Sequence, residues 1–401
     1  MKKKSLNLSK FFALLLSCLI LLSAGNAVSV SAADQTDKAA ALTKQLKMPT
    51  GVATPKADLT FKFTKVSADP TPDLDPVTLN IEANAAGTDD AGVKTVSVRK
   101  VIDQISTAAG KKFENIPAGV YTYTVKEDAS GIDTTAVGKI TKQAEYSKAE
   151  YTLKVVVSNK TDASGTPIGT YISQVNVIPV KDDDGNTPAD TTSKLSTEDG
   201  DGNKFIFTNK YSTTVEEDTP NDPDHAPFSV EKKVTGDGDI YQAFDFSITV
   251  DKPALLAVAT PETTYTYSIV KADGNVDPDH KAVTGTYGTP LTFNLKHGEK
   301  LVINKMYGGS TIKTVDETNA YGHDKTLTYT PAGGQAEESQ TAVTDKLITG
   351  QGNKLLVKND KKPSTEVGLF LDNAPIILVI TLSVVAILAF AVVNKKRKAS
   401  R

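Results

Sequence analysis

The sequence predicts an all-β protein with two Ig-like β-sandwich domains in tandem, residues 34–215 and 228–360. Short runs of alternating apolar and polar residues recur about every ten to fifteen residues, which is typical of sandwiches and not of helical or βαβ domains. These runs are rich in Thr, Val and Tyr, which favour strands. Residues 216–227 are acidic, contain several prolines and lack periodicity, so they are the expected linker between the domains.

The N-terminus has the three parts of a secretory signal. Residues 1–4 are basic, residues 11–22 are apolar, and small residues follow up to Ala33. The apolar core is too short for a lasting membrane span. We therefore expect residues 1–33 to be a signal peptide that is cleaved near Ala32 or Ala33.

The C-terminus predicts a membrane helix over residues 369–394. An apolar run within it is followed directly by the basic tail, residues 395–401. By the positive-inside rule this tail stays in the cytoplasm. The protein is therefore expected to be exported and held at the cell surface.

The segment before this helix, residues 361–368, resembles the cell-wall sorting signal of Gram-positive surface proteins. In that signal a Leu-Pro-x-Thr-Gly-like motif precedes an apolar helix and a basic tail. Pro363, Ser364, Thr365 and Gly368 fit the motif, but Lys362 replaces the leading Leu and two residues separate Thr365 from Gly368. The resemblance implies cleavage after Thr365 by a sortase; the alternative is a permanent membrane anchor.

Composition argues against several classes of function. The net charge of −3 gives no electrostatic basis for binding nucleic acid or an anionic membrane surface. The single cysteine, Cys18, lies in the signal core, so the exported part has no disulfide. The histidines are isolated and no metal-ligand spacing occurs. No metal, cofactor or turnover catalysis is expected.

Three polar residues fall on the apolar faces of predicted strands in the first domain: Lys44, Glu127 and Asn209. Their companions on those faces are Leu42, Leu46 and Met48; Tyr121, Tyr123 and Val125; and Phe205 and Phe207. Each could be a strand-end residue whose polar tip reaches solvent. Together they point a Lys, a Glu and an Asn at one core.

The second domain repeats this order. Lys232 alternates with apolar residues near its start, and Asn359 does so near its end. The carboxylate between them is ambiguous, because Asp316 and Glu317 have opposite parity in the same strand. Asp316, which shares parity with Ile312, is the preferred candidate, and Glu317 is the alternative.

These three residue types suit an amide-forming reaction. Burial lowers the pKa of a Lys and yields a neutral, nucleophilic amine, whereas burial raises the pKa of a carboxyl group. A protonated acid between the amine and an Asn carboxamide can polarise the carbonyl and help ammonia leave. Proximity alone then permits a single Lys–Asn amide bond per site.

In these features the sequence resembles the isopeptide-linked major pilins of Gram-positive bacteria. The fragments that carry the resemblance are residues 42–46, 55–63, 119–127 and 205–209 in the first domain and residues 230–236 and 357–359 in the second. The resemblance implies the following bonds and assisting acids: Lys44–Asn209 with Glu127, and Lys232–Asn359 with Asp316 or Glu317.

The resemblance also implies a structural role, as a pilin-like subunit or stalk whose partners are a sortase and peptidoglycan or other subunits. Polymerising relatives use a surface Lys at the position of Gly202, and Lys204 and Lys194 are the nearby substitutes here. The alternative is a monomeric adhesin for a host surface ligand, with exposed loops such as residues 182–202. Residues 182–186 resemble part of a calcium loop, but a solvated turn is the simpler interpretation.

Overall fold

A computed structural model describes residues 35–68, 70–217, 222–362 and 374–399, and it confirms the predicted all-β class with tandem domains and a C-terminal helix. The predicted signal peptide lies outside the described residues. So do the sorting-signal residues Pro363, Ser364, Thr365 and Gly368.

The first domain contains ten strands arranged as two facing sheets. The strands are β1 (Ala41–Pro49), β2 (Ala57–Lys65), β3 (Val77–Ile81), β4 (Thr88–Asp90), β5 (Val93–Val101), β6 (Gly119–Glu127), β7 (Ile140–Glu145), β8 (Glu150–Thr161), β9 (Pro167–Lys181) and β10 (Ile206–Glu216). One sheet has the order β3-β2-β6-β8-β9, and the other has the order β4-β5-β1-β10, with β7 paired to β10.

The second domain contains eleven strands in a similar two-layer arrangement. The strands are β11 (Phe228–Gly236), β12 (Phe244–Asp251), β13 (Thr264–Val270), β14 (Val283–Thr286), β15 (Leu291–Leu295), β16 (Lys300–Tyr307), β17 (Ser310–Glu317), β18 (Asp324–Thr330), β19 (Glu337–Ser339), β20 (Val343–Ile348) and β21 (Asn353–Lys361). One sheet has the order β15-β12-β17-β20. The other has the order β19-β18-β21-β11-β16, with β13 paired to β16 and β14 paired to β13.

The first and last strands of each domain lie side by side and run parallel. In the first domain Lys44 is opposite Phe207, and Asn209 is opposite Leu46. The second domain has the same two-residue offset between Lys232 and Asn359 in the pairing of β11 with β21. Because side chains alternate with period two, this offset puts each Lys and its Asn on one face as diagonal neighbours.

Each domain has its own hydrophobic core between its two sheets. In the first core, aromatic side chains from both layers interlock, with ring centroids 4.9 Å apart for Phe61 and Phe207 and 5.0 Å for Tyr151 and Phe205. In the second core, Phe246 stacks on Phe293 at 5.3 Å. The polar residues of interest are therefore surrounded by tightly packed apolar groups.

The two domains share a continuous sheet. The end of β10 pairs antiparallel with β16 of the second domain, with Val215 opposite Met306, and this pairing joins the two larger sheets into one of twelve strands. The amide of Glu217 also donates to the carbonyl of Asn304 at 2.7 Å. The predicted start of the linker, Glu216, is thus the last residue of a strand that contacts both domains.

The described C-terminal segment forms helix α1 (Ala374–Ala399). Its stretch Leu378–Lys395 is long and apolar enough to cross a membrane. The helix thus accounts for the C-terminal part of the predicted span.

Candidate functional sites

The first domain brings Lys44, Glu127 and Asn209 together in its interior. Lys44 Nζ lies 2.6 Å from Glu127 Oε2, and Asn209 Nδ2 donates to Glu127 Oε1 at 2.7 Å. Strands β1, β6 and β10 supply the three residues, so both sheets contribute. The Lys and Asn residues are 0% exposed, as is the Glu side chain. One carboxyl group therefore bridges the amine and the amide.

Burial shifts the proton affinities at this site. Burial lowers the pKa of Lys44 to about 8, although the carboxyl group of Glu127 opposes that shift. Burial also raises the pKa of Glu127, against the lowering effects of Lys44 and Asn209. The charged forms of both groups are thus disfavoured, and an uncharged amine beside an uncharged acid becomes accessible near neutral pH.

The second domain assembles the matching group from Lys232, Glu317 and Asn359. Lys232 Nζ lies 3.1 Å from both carboxyl oxygens of Glu317, and Asn359 Nδ2 donates to Glu317 Oε1 at 2.6 Å. Burial lowers the pKa of Lys232 to about 8, an effect that Glu317 opposes and nearby Lys325 reinforces. The amine also lies 4.0 Å from the ring centroid of Phe244, so an apolar face excludes water from it.

The preference for Asp316 as the acid of the second domain is wrong. Its side chain is 43% exposed and accepts a bond from Lys325 at 3.0 Å, whereas the side chain of Glu317 is 0% exposed. The cause is a β-bulge. Thr249 is opposite Thr314, but the next residue of β12 is opposite Ile312, so β17 has one extra residue there. After this extra residue the other alternate set of β17 side chains faces the core, so Glu317 points inward and Asp316 outward.

The other predicted candidates lie at the surface. Lys194 and Lys204 are exposed in the loop between β9 and β10, and the predicted calcium-like turn is an ordinary one in which Asp182 Oδ1 accepts the amides of Asp184 and Asn186. Among residues 35–68, 70–217, 222–362 and 374–399, no group of three His, Cys, Asp or Glu side chains could hold a metal ion.

Sequence reasoning missed two residues next to the first site. The backbone amide of Ser147 donates to Asn209 Oδ1 at 2.7 Å. Asp183 Oδ1 in turn accepts bonds from the hydroxyl of Ser147 at 2.5 Å and from the amide of Thr208 at 2.8 Å. Ser147 and Asp183 lie outside the strands, so the alternation of apolar and polar residues that identified the other site residues could not identify them.

Comparison with known proteins finds a family model for each of the two domains. Residues 40–212 match the family described as Spy0128-like isopeptide containing domain (FctA). Residues 227–354 match a family described as Domain of unknown function (DUF7601). No curated protein matches the sequence.

Several solved structures are similar to this chain at low identity. The major pilin from Streptococcus pyogenes has 17% identity and a TM-score of 0.33, with 82% of this chain and 99% of that chain covered. The T3.2 major pilin from the same organism has 20% identity and a TM-score of 0.31, with 82% and 100% covered. The shaft pilin SpaA from Lactobacillus rhamnosus GG has 12% identity and a TM-score of 0.16, with 81% and 99% covered. These scores are low, so the comparison rests on the family model: residues 40–212, the first domain, match the Spy0128-like isopeptide containing domain.

Proposed function

We propose that the protein is a surface subunit of a Gram-positive pilus or stalk, in which each domain is closed by an intramolecular Lys–Asn isopeptide bond. The observation that carries the proposal is the buried group of Lys, Glu and Asn in each core. Two unrelated stretches of sequence assemble it with the same strand offset and the same bridging carboxyl group. A buried Lys beside an Asn is costly to keep, and forming the bond removes that cost.

In the first domain, the reaction joins Lys44 Nζ to Cγ of Asn209. The neutral amine adds to Cγ, and the carboxylic acid of Glu127 protonates the departing Nδ2. The bond between Cγ and Nδ2 breaks and one ammonia molecule leaves. The Glu127 carboxylate then takes the proton that Nζ loses, which restores the acid. Glu127 is placed for both transfers, because its two oxygens contact Nζ and Nδ2 separately.

In the second domain, Glu317 is the corresponding acid, and it assists attack of Lys232 on Asn359. The contacts of Glu317 with both partners support this role. Asp316 is left to hold Lys325, whose positive charge favours the neutral form of Lys232.

These bonds suit a protein under tension. Force on the two ends of a domain pulls on its first and last strands, which are parallel neighbours in each domain. Without a covalent link, that load would shear the ladder of hydrogen bonds between them. With the link, the load passes from strand to strand through an amide bond.

Anchoring is the second part of the proposal. The segment with Pro363, Ser364, Thr365 and Gly368 is followed by an apolar helix and a basic end. A sortase would cleave after Thr365 and transfer the new carboxyl group to peptidoglycan or to a Lys of another subunit. Lys204 and Lys194 are exposed candidates for that Lys.

A monomeric surface adhesin that keeps its membrane helix is the alternative. The observation that favours it is Lys362, which replaces the Leu expected at the start of the sorting motif. A wall extract from the native cell, separated under denaturing conditions, distinguishes the two. A ladder indicates a polymer, a single wall-bound band indicates an anchored subunit, and a monomer released by detergent indicates the alternative.

Mass spectrometry tests the isopeptide bonds. The protein should be lighter than its sequence by two ammonia molecules, and peptide mapping should find Lys44 joined to Asn209 and Lys232 joined to Asn359. An unshifted mass would refute the proposal for both domains, and loss of one ammonia would refute it for one.

A further inference from the structure

The amide oxygen of Asn209 is the atom that gains negative charge when an amine adds to Cγ. The backbone N–H of Ser147 donates to this oxygen at 2.7 Å, in a buried contact. A fixed backbone donor in a dry site stabilises such an oxyanion strongly, because it needs no reorganisation when the charge develops.

Asp183 fixes the position of this donor. One of its carboxylate oxygens accepts bonds from the hydroxyl of Ser147 and from the amide of Thr208, the residue before Asn209. Its carbonyl oxygen also accepts the amide of Lys148 at 2.9 Å. Asp183 therefore ties the segment that carries the donor to the strand that carries the reacting amide.

The second domain lacks this device within the described part of the chain. Asn359 Oδ1 is buried there and has no hydrogen-bond partner among the described residues. The second site has the same Lys, Glu and Asn as the first, but it differs in the hydrogen-bond contacts of the amide oxygen. The second site is thus an internal reference in the same molecule.

We infer that Asp183 is a positioning residue for isopeptide formation in the first domain, and that it acts by holding the Ser147 amide as a single-donor oxyanion hole for Asn209. The inference rests on the proposed function, since it concerns the same bond. It also gives a role to the acidic turn of residues 182–186, in which Asp183 holds Ser147 while Asp182 accepts two amides of the turn.

Loss of one oxyanion-hole donor slows reactions of this type by about 100- to 1,000-fold. Asp183→Ala leaves the Ser147 amide and the backbone contact with Lys148 in place but removes the side-chain tether. We therefore expect the Lys44–Asn209 bond to form roughly 10- to 100-fold more slowly in this variant, below the full loss of a donor.

The test follows both bonds in time within one sample. The full chain is made by cell-free synthesis, portions are denatured at intervals, and the cross-linked and linear peptides of each site are quantified by mass spectrometry. Asp183→Ala should slow Lys44–Asn209 closure and leave Lys232–Asn359 closure unchanged. Asp183→Asn keeps an acceptor oxygen and should restore the rate, which a loss of charge alone would not allow.

Two further variants separate positioning from general damage to the fold. Asp184→Ala changes the same turn without touching Ser147 and should close at the normal rate. Ser147→Ala removes the hydroxyl that donates to Asp183 and accepts the amide of Ala149, so it should slow the first bond even if Asp183→Ala fails to fold.

The outcomes distinguish the two proposals. Equal rates of Lys44–Asn209 closure in the wild type, Asp183→Ala and Ser147→Ala would overturn the positioning role and leave the isopeptide proposal intact. Slow closure in Asp183→Asn as well would also overturn it. Absence of both cross-links in the wild type would overturn the isopeptide proposal itself, and the inference about Asp183 with it.

Discussion

Glu127→Gln separates the covalent bond from the packing around it. Gln has nearly the volume of Glu, so the core should stay filled. It lacks the acidic proton that the reaction transfers, so the Lys44–Asn209 bond should not form. The variant should then be heavier than the bonded chain by one ammonia molecule, after the mass of the substitution itself is allowed for.

The length of the closed loop sets how much the Lys44–Asn209 bond contributes to the free energy of unfolding of the first domain. The bond joins the first strand to the last and closes a loop of about 165 residues, for which chain entropy gives about 5 kcal/mol of stabilisation. For a domain of this size each kcal/mol changes the Tm by about 2–4 °C. The transition of the first domain should therefore fall by about 10–20 °C.

Calorimetry at about pH 9 measures this loss. At that pH the unbonded Lys44 is mostly neutral in the folded protein but still protonated in the unfolded chain, which adds about 2 kcal/mol to the loss from loop closure. Lys126→Gln is the matched control, since it removes a neighbouring exposed Lys that pairs with Glu150 and should change stability by less than about 0.5 kcal/mol. A Glu127→Gln protein that lacks the bond but unfolds within about 2 °C of the wild type would refute the loop-closure reasoning.

Three further predictions concern the second acid, the buried amine and the contact between domains. Glu317→Gln should abolish the Lys232–Asn359 cross-link, whereas Asp316→Asn should retain it; peptide mapping checks both. In Glu127→Gln, the unbonded Lys44 should have a pKa below about 8 in the folded protein, against 10.5 in the unfolded chain. Between these values the unfolded chain binds one more proton than the folded protein, so the free energy of unfolding should rise with pH by up to about 1.4 kcal/mol per pH unit. Denaturation at several pH values measures this slope. Gly308→Ala should destabilise the protein by about 1–3 kcal/mol, because the added Cβ would lie 2.1 Å from the hydroxyl oxygen of Thr213 in the other domain.

Each of these has a control. Glu127→Gln combined with Lys44→Met removes the titrating amine, and a pH dependence that persists in the double variant would contradict the assignment to Lys44. Gly350→Ala adds a methyl group where no heavy atom lies within 4 Å, and should be neutral. An intact second cross-link in Glu317→Gln, or its loss in Asp316→Asn, would reverse the assignment of the acid.

Regular strands made much of the first site predictable from sequence. Lys44 and Asn209 lie in strands whose alternation is unbroken, so parity alone indicated their inward direction. In the second domain the same rule selected Asp316, because a bulge opposite Thr249 is invisible in the sequence. An extra residue in one strand leaves its composition unchanged but turns every later side chain to the other face.

Contacts made by the backbone could not be predicted in the same way. Every residue except proline has an amide N–H, so nothing in the sequence distinguishes the amide of Ser147 as the donor to Asn209. The pairing of Val215 with Met306 was also missed, since the acidic, proline-containing stretch that follows indicated a free linker and gave no sign that β10 continues onto the second domain.

The shared sheet limits how far the molecule can stretch. With both bonds closed, the residues enclosed by each loop carry no tension. Between the two bonds, the chain from Asn209 to Lys232 is the part that a pulling force can extend. That stretch holds about 20 residues, and much of it is already extended in β10 and β11, so it can lengthen by only tens of ångströms. A steady pull should therefore peel the end of β10 away from β16, and leave both sandwiches folded.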